Sequence, residues 1–172
     1  MTSHTPIAQT ERLRLRRMQR CDVDAMRDVY SDPEAMRYVG DGSAISEEDV
    51  LRWVDITLAN YANKGYGMFV VELRETGQVI GFCGLVHPGG QELPELKYAY
   101  LRDHWGNGYA TEAGEALRGY GERELGMAGI ISTVDAEHTV SQQVLKKCNF
   151  TYRKTLLEEG EPPVALWAWG EI

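Results

Sequence analysis

No run of apolar residues in this sequence approaches the roughly 20 that a membrane-spanning helix needs, and the opening MTSHTPIAQT lacks the apolar stretch of a secretory signal. A cytoplasmic protein without membrane contact is the expectation. Positive charge is short as well. A formal net charge of -8 and a pI near 5.0 leave no general basic face, so nucleic acid is not expected as a main partner, although a local basic patch stays compatible. Cysteine is sparse: Cys21, Cys83 and Cys148 are odd in number and form no CxxC, which fits reduced thiols packed as small apolar groups. Histidine offers no metal site. His4 lies in a terminus expected to be loose, and His87 and His104 sit in loops without a partner at ligand spacing. Asp135, Glu137 and His138 do cluster, but alternation along a strand end explains them more simply than a metal. No internal repeat or low-complexity segment is present.

What is there suffices for one core. With 172 residues and 43% hydrophobic content, the chain reads as a single domain over 1–172. RLRLRRM (12–18) alternates basic with apolar and predicts a half-exposed edge strand with Leu13, Leu15 and Met18 turned inward. Asp22 is a candidate N-cap for VDAMRDVY, and Asp32 for DPEAMRYV, with Pro33 at the first helical position. SEEDVLRWVDITLANYANKG begins with a cap signature at Ser46 and Asp49 and ends at Gly65. Its apolar stripe runs through Val50, Trp53 or Val54, Leu58 and Tyr61. Strands are predicted over 66–73, 78–86 and 95–101, with RETG as a hairpin turn between the first two. After a glycine turn come a helix to about residue 125, a stop at Gly126, a strand at 128–134 and a helix at 139–148. The strands FTYRKTL and VALWAW close the chain. Strands that first meander and then alternate with helices imply an α/β fold, a mixed sheet of about six to seven strands with helices on both faces.

The glycine turn carries the most information. In YLRDHWGNGYATEAGEAL (100–117), Asn-Gly alone would suggest a hairpin, yet the residues that follow have helical spacing. A strand, glycines and a helix in that order make a phosphate site, because the first helix amides lack partners and carry the positive end of the dipole. A plain turn without a ligand is the simpler alternative. A Rossmann dinucleotide site does not fit, since the third glycine position of G-x-G-x-x-G is Thr111.

YAYLRDHWGNGYATEA together with STVDAEHTVSQQVLKKCNF resembles the Gcn-related N-acetyltransferases (GNATs), and within them the branch of ribosomal-protein N-terminal acetyltransferases. TERLRLRRM and QVIGFCGL extend the likeness along nearly the whole chain. The resemblance implies the GNAT fold, acetyl-CoA as cosubstrate, and direct transfer of the acetyl group to a primary amine. It places the coenzyme signature on Trp105, Gly106, Asn107, Gly108, Tyr109 and Ala110, whose amides would hold the pyrophosphate. Trp105 stands where many relatives have Arg or Gln. On this view the glycines are needed because a Cβ would collide with a phosphate. Tyr100 and Leu101 fall where strand backbone would bond the pantetheine arm and meet the thioester oxygen.

Acetyl transfer from a thioester needs a neutral amine, a donor to the developing oxyanion and a proton for a thiolate of pKa about 8.5. Holding the reactants in line is worth effective molarities on the order of 10⁵ M, and a base adds roughly 10² to 10⁴. The resemblance points to Glu95 as the base, acting through water; the plainer alternative is an exposed carboxylate paired with Lys97. For the acid, the helix tyrosine of many relatives is Leu145 here. Ser141 matches a serine that some of the narrower branch use, against a helix-surface hydroxyl bonded to the preceding turn. Tyr98, Tyr100 and Tyr152 remain as further acids.

His138 replaces the family's usual Asn, either bonding the coenzyme or capping the helix, and Asn149 replaces a Gly at a left-handed helix end. Lys146 and Lys147 could meet the 3′-phosphate or form a solvated face. The acceptor side is expected among loops 38–46, 87–94 and 157–163. These carry Asp41, Glu92, Glu158, Glu159 and Glu161 and no Lys or Arg, so a basic peptide N-terminus, a polyamine or an aminated small molecule all fit. Family dimers are common, so a homodimer is compatible. The missing helix tyrosine and His138 would also suit a catalytically silent acyl-CoA-binding module.

Overall fold

A computed structural model describes residues 5–39 and 42–172; His4 and Asp41 fall outside this range. The chain runs through β1 (Pro6–Gln9), β2 (Leu13–Arg17), α1 (Val23–Tyr30), α2 (Pro33–Met36), α3 (Glu47–Lys64), β3 (Met68–Leu73) and β4 (Val79–Val86). It continues with β5 (Glu95–Tyr100), α4 (Tyr109–Arg123), β6 (Gly129–Asp135), α5 (Thr139–Lys147), β7 (Thr151–Leu156) and β8 (Val164–Gly170). The strands form one sheet in the order β1-β2-β3-β4-β5-β6-β8-β7. All neighbours are antiparallel except β5 and β6. The mixed α/β sheet is thus as expected, but it has eight strands rather than six or seven.

The additional strand is β1, and it corrects a second expectation: β2 is not an edge. Leu13, Leu15 and Met18 do face inward, each at most 2% exposed, and burial of such a side chain contributes roughly 1.5–3 kcal/mol. Between them Arg16 is buried too. Its guanidinium donates to Asp22 at 2.8 Å and to Glu72 at 2.6 Å, so its charge is held firmly in place. Asp22 precedes α1 as expected, but its carboxylate accepts from Arg16 and from the Gln19 amide instead of capping α1.

The other helix ends follow their chemistry. The Asp32 side chain accepts from Glu34 N–H, Ser46 from Asp49 N–H, and Gly65 ends α3 in the left-handed conformation. Asn149 ends α5 at φ 67, the one described non-glycine residue with positive φ. Along α3 the buried stripe is Val50, Val54, Thr57 and Tyr61, with Leu58 only half-buried.

Side chains alternate across a strand, and β4 separates the two helical layers accordingly. Phe82 meets Tyr30 of α1 at 6.0 Å between ring centroids. Leu85 lies on the opposite face beside Gly121 of α4. The buried apolar residues form one connected cluster around this sheet. Cys83 and Cys148 belong to it, whereas Cys21 is exposed, contrary to the packing expected of all three thiols. No helix among the described residues is long and apolar enough to cross a membrane.

Candidate active site

The site begins where the sheet comes apart. β5 and β6 run parallel but share a single register pair, Glu95 with Ile131. Ile131 N–H donates to Pro94 O at 2.9 Å and Ser132 Oγ to Leu96 O at 2.9 Å; beyond these bonds the strands diverge. Leu101 N–H donates to Ile80 O on β4 at 2.8 Å, so alternation turns the backbone groups of Tyr98 and Tyr100 toward the opening. The Leu101 amide is therefore spent, and the strand backbone able to meet a ligand is that of Tyr98 and the amide of Tyr100. The resulting cleft has a volume of about 1080 Å³ and takes walls from α1, α3, α4, α5 and both diverging strands. A smaller hollow of about 470 Å³ between β1 and α4 lies apart from it.

The glycine turn forms one end of the cleft. Gly106 at φ 75 and Gly108 at φ 81 occupy the left-handed region, and Gly108 is the N-cap of α4. A Cβ on Gly106 would meet no protein atom within 4 Å, and one on Gly108 only Arg12 Nη2 at 3.5 Å. Backbone conformation alone therefore requires these glycines, and a Cβ would project into open space. The first intrahelical bond of α4 runs from Glu112 N–H to Gly108 O. The amides of Tyr109, Ala110 and Thr111 consequently have no acceptor in the helix. Of the expected signature, Trp105, Gly106, Gly108, Tyr109 and Ala110 line the cleft and Asn107 does not.

Asn107 instead braces the turn. Its Nδ2 donates to His104 O and Trp105 O, each at 3.1 Å, and its carbonyl accepts from Arg12 Nη1 at 2.9 Å. Arg12 also donates to Glu112 at 2.7 Å and lies over the Tyr109 ring, 4.5 Å from its centroid. Trp105 Nε1 donates to Tyr100 O at 2.8 Å, tying the turn to β5. Sequence alone gave no sign of Arg12, because its partners lie about 100 residues away.

Two groups of side chains meet at the seam. On one side, Tyr98 Oη and Ser141 Oγ lie 2.6 Å apart, and both line the cleft. Ser141 is 6% exposed, so it is a buried partner of Tyr98 and not the surface hydroxyl of the plainer alternative. Burial pushes the Tyr98 hydroxyl above its ordinary value, which keeps it protonated. On the other side, Glu95 is 2% exposed and does not line the cleft. Its Oε1 accepts from Thr133 N–H at 3.1 Å, from the Thr133 hydroxyl and from Lys97 Nζ at 2.7 Å. Its Oε2 accepts from Gln91 Nε2 at 3.3 Å. The Lys97 pairing is thus present, but on a buried carboxylate, and Thr133 and Lys97 are the members of this network that reach the cleft.

The remaining candidates scatter. Tyr100 is buried with its hydroxyl beside the Cys83 thiol, and burial pushes it well above its ordinary value. Tyr152 is 48% exposed on β7, away from the cleft. His138 does not cap α5 with its side chain; it stacks on Tyr38, with centroids 4.3 Å apart, and burial pulls its pKa down. Lys147 lines the cleft and Lys146 does not. Among the described residues no group of three or more His, Cys, Asp and Glu is placed to hold a metal ion.

The acceptor side also departs from the sequence reading. Loop 157–163 does not line the cleft, nor does Glu92. Among the described residues the charged lining comprises Glu34, Asp135 and Glu137 against Arg37, Lys97 and Lys147, a near balance in place of an acidic rim. The wall formed by α1, α3, β3 and β4 is mostly apolar instead, with Met26, Tyr30, Trp53, Met68, Phe82 and Val86 beside Thr57 and Asn60.

Helix amides without acceptors and a hydroxyl pair thus lie around the split in a mixed α/β sheet. Residues 12–151 match the acetyltransferase (GNAT) domain family. The chain belongs to that family and is an acyltransferase. It is 34% identical over 148 residues to the uncharacterized N-acetyltransferase p20 of Bacillus licheniformis, covering 82% of this chain and 80% of that one. The acetyltransferase of Agrobacterium tumefaciens superposes with a TM-score of 0.81 at 28% identity, over 95% of this chain and 93% of that one. RimL, a ribosomal L7/L12 alpha-N-protein acetyltransferase solved with coenzyme A, superposes with a TM-score of 0.81 over 96% of this chain and 98% of its own. At 15% identity it shares the fold.

Proposed function

We propose that this protein transfers the acetyl group of acetyl-CoA directly to a primary amine, either a protein N-terminal α-amine or the amine of a small molecule. The observation that carries the reading is the row of unpartnered amides at Tyr109, Ala110 and Thr111, opening on the cleft behind two left-handed glycines. Such a helix end suits a pyrophosphate, and RimL, which shares the fold, was solved with coenzyme A. The outward backbone groups of Tyr98 and the Tyr100 amide would bond the pantetheine arm, and Lys147, on the cleft wall, would meet the 3′-phosphate.

The net reaction moves one amine proton onto the thiolate sulfur. Thr133 takes the amine proton through its hydroxyl as it passes its own to Glu95, since the Thr133 Oγ1–Glu95 Oε1 bond is already made. Across the seam, the Tyr98–Ser141 pair donates a hydrogen bond to the departing sulfur. A tyrosine whose pKa burial has raised is too weak an acid to surrender its proton fully to a thiolate of pKa about 8.5, so it stabilises the charge until the sulfur takes a proton from solvent. Glu95 afterwards returns the amine's proton to water through Thr133.

Incubation with acetyl-CoA and a panel of amines, including ribosomal-protein N-terminal peptides, should release free thiol. Calorimetric binding of coenzyme A with no release for any amine would instead favour a silent binding module.

A further inference from the structure

The acceptor wall has a chemistry of its own. Met26 and Tyr30 from α1, Trp53 and Ile56 from α3, and Met68, Phe82 and Val86 from β3 and β4 line this part of the cleft, together with the polar Thr57 and Asn60 of α3. The aromatics brace one another, with Tyr30 edge-on to Trp53 at 5.3 Å and tilted against Phe82 at 6.0 Å. Gly84 makes the floor possible: a Cβ there would meet Met68 Cα and Sδ at 2.5 Å, so the missing side chain lets Met68 lie across β4. Lys97 shares this face of the sheet, since it pairs with Gly84 in register and Phe82 lies two residues away. The proton-accepting end of the site and the apolar wall thus belong to one chamber.

Charge argues in the same direction. Among the described residues three acids and three bases line the cleft. Nothing in this balance concentrates a polycation, whereas a wall of methionine and aromatic side chains binds an apolar body and leaves its position adjustable.

We infer that the acceptor is a monoamine carrying an aromatic or branched aliphatic group, which packs against Met26, Tyr30, Trp53, Met68 and Phe82 while its amine faces Thr133. This rests on the acetyl-CoA reading above and narrows its acceptor. The body is either that of a small arylalkyl or alkyl amine or the first side chain of a peptide. Burying a phenyl-sized group in such a chamber raises affinity by about 10- to 100-fold over a two-carbon amine.

The test uses the whole protein saturated with coenzyme A, titrated calorimetrically at one pH with ethylamine, isopentylamine, phenethylamine and spermidine. A parallel arm uses short peptides beginning with Phe or Ser. Affinity is expected to climb from ethylamine through isopentylamine to phenethylamine by at least tenfold, with spermidine no better than ethylamine. A Phe-over-Ser preference in the second arm assigns the body to a peptide, and its absence assigns it to a small molecule. Ile56→Asp, at a half-exposed wall position that should tolerate the change, is expected to weaken phenethylamine several-fold and strengthen spermidine. A flat amine series, or spermidine binding tighter than phenethylamine to the wild-type protein, overturns the inference. Lack of coenzyme A binding in the first step would instead sink the acetyl-CoA reading itself.

Discussion

The two walls of the cleft are made of different materials. At the α4 end, the polar groups on offer are backbone amides, shaped by Gly106 and Gly108 and braced by Arg12. On the α1 and α3 side the lining consists of side chains, drawn from four elements between Met26 and Val86. A backbone site has little latitude, because each residue is fixed by φ and by an amide's direction. A side-chain chamber can be repacked one position at a time. One wall therefore suits a constant reactant and the other a reactant that differs between relatives.

The sharpest test of this division falls at the seam where the walls meet. Glu95→Gln and Thr133→Val should each lower turnover by roughly 10²-fold or more, while calorimetric affinity for coenzyme A stays near that of the parent. Glu95→Gln should also move the pH dependence of turnover; an unchanged profile would remove Glu95 from the proton path.

Next in size is the backbone wall. Gly108→Val forces a β-branched residue to φ 81, a strain of about 1–3 kcal/mol. Affinity for coenzyme A should fall by about 10- to 100-fold. If binding survives intact, the amides are not the cradle, and the contrast between the walls disappears.

Smaller effects are expected from the hydroxyl pair. Tyr98→Phe and Ser141→Ala should each slow thiol release by about tenfold, the loss of a hydrogen bond to developing charge. The double variant should be no slower than either single one, because each acts through the 2.6 Å contact. Fully additive losses would separate the two residues.

The smallest effect concerns His138. Burial holds its folded pKa below the ordinary 6.5, with Asp135 pulling weakly the other way. The unfolded chain therefore takes up this proton first as pH falls. The stabilisation is complete above pH 6.5 and is lost as pH drops through the folded value. The melting temperature of the wild type should decline more between pH 7 and pH 5 than that of His138→Asn.

The same contrast explains what could be read from the sequence. The glycine turn, the α3 caps and the meander of β3, β4 and β5 rest on local rules, and neighbouring residues reveal them. Glu95 and Ser141 came from resemblance, and only the fold shows that one is enclosed by Thr133 and Lys97 and the other paired with Tyr98. β1 escaped because four residues beginning with proline show no period, and an edge strand needs none. Asp22 looked like a helix cap, yet a buried guanidinium 2.8 Å away outbids an exposed amide for its carboxylate. The acidic loops suggested a cationic acceptor because their charges are visible in sequence. The apolar chamber was not visible, since its residues come together only when α1 and α3 close over one face of the sheet.

The lone register pair between β5 and β6 carries a mechanical consequence. Two antiparallel blocks, β1 to β5 and β6 to β8, are joined along most of their common border by helices rather than by main-chain bonds. A thioester threaded into that gap would act as mortar between them, with its amides supplying rungs that the polypeptide omits. Loading should then raise the melting temperature and slow proteolysis of the whole chain, so that in a cell the supply of acyl donor would govern how long the protein lasts as well as how fast it works.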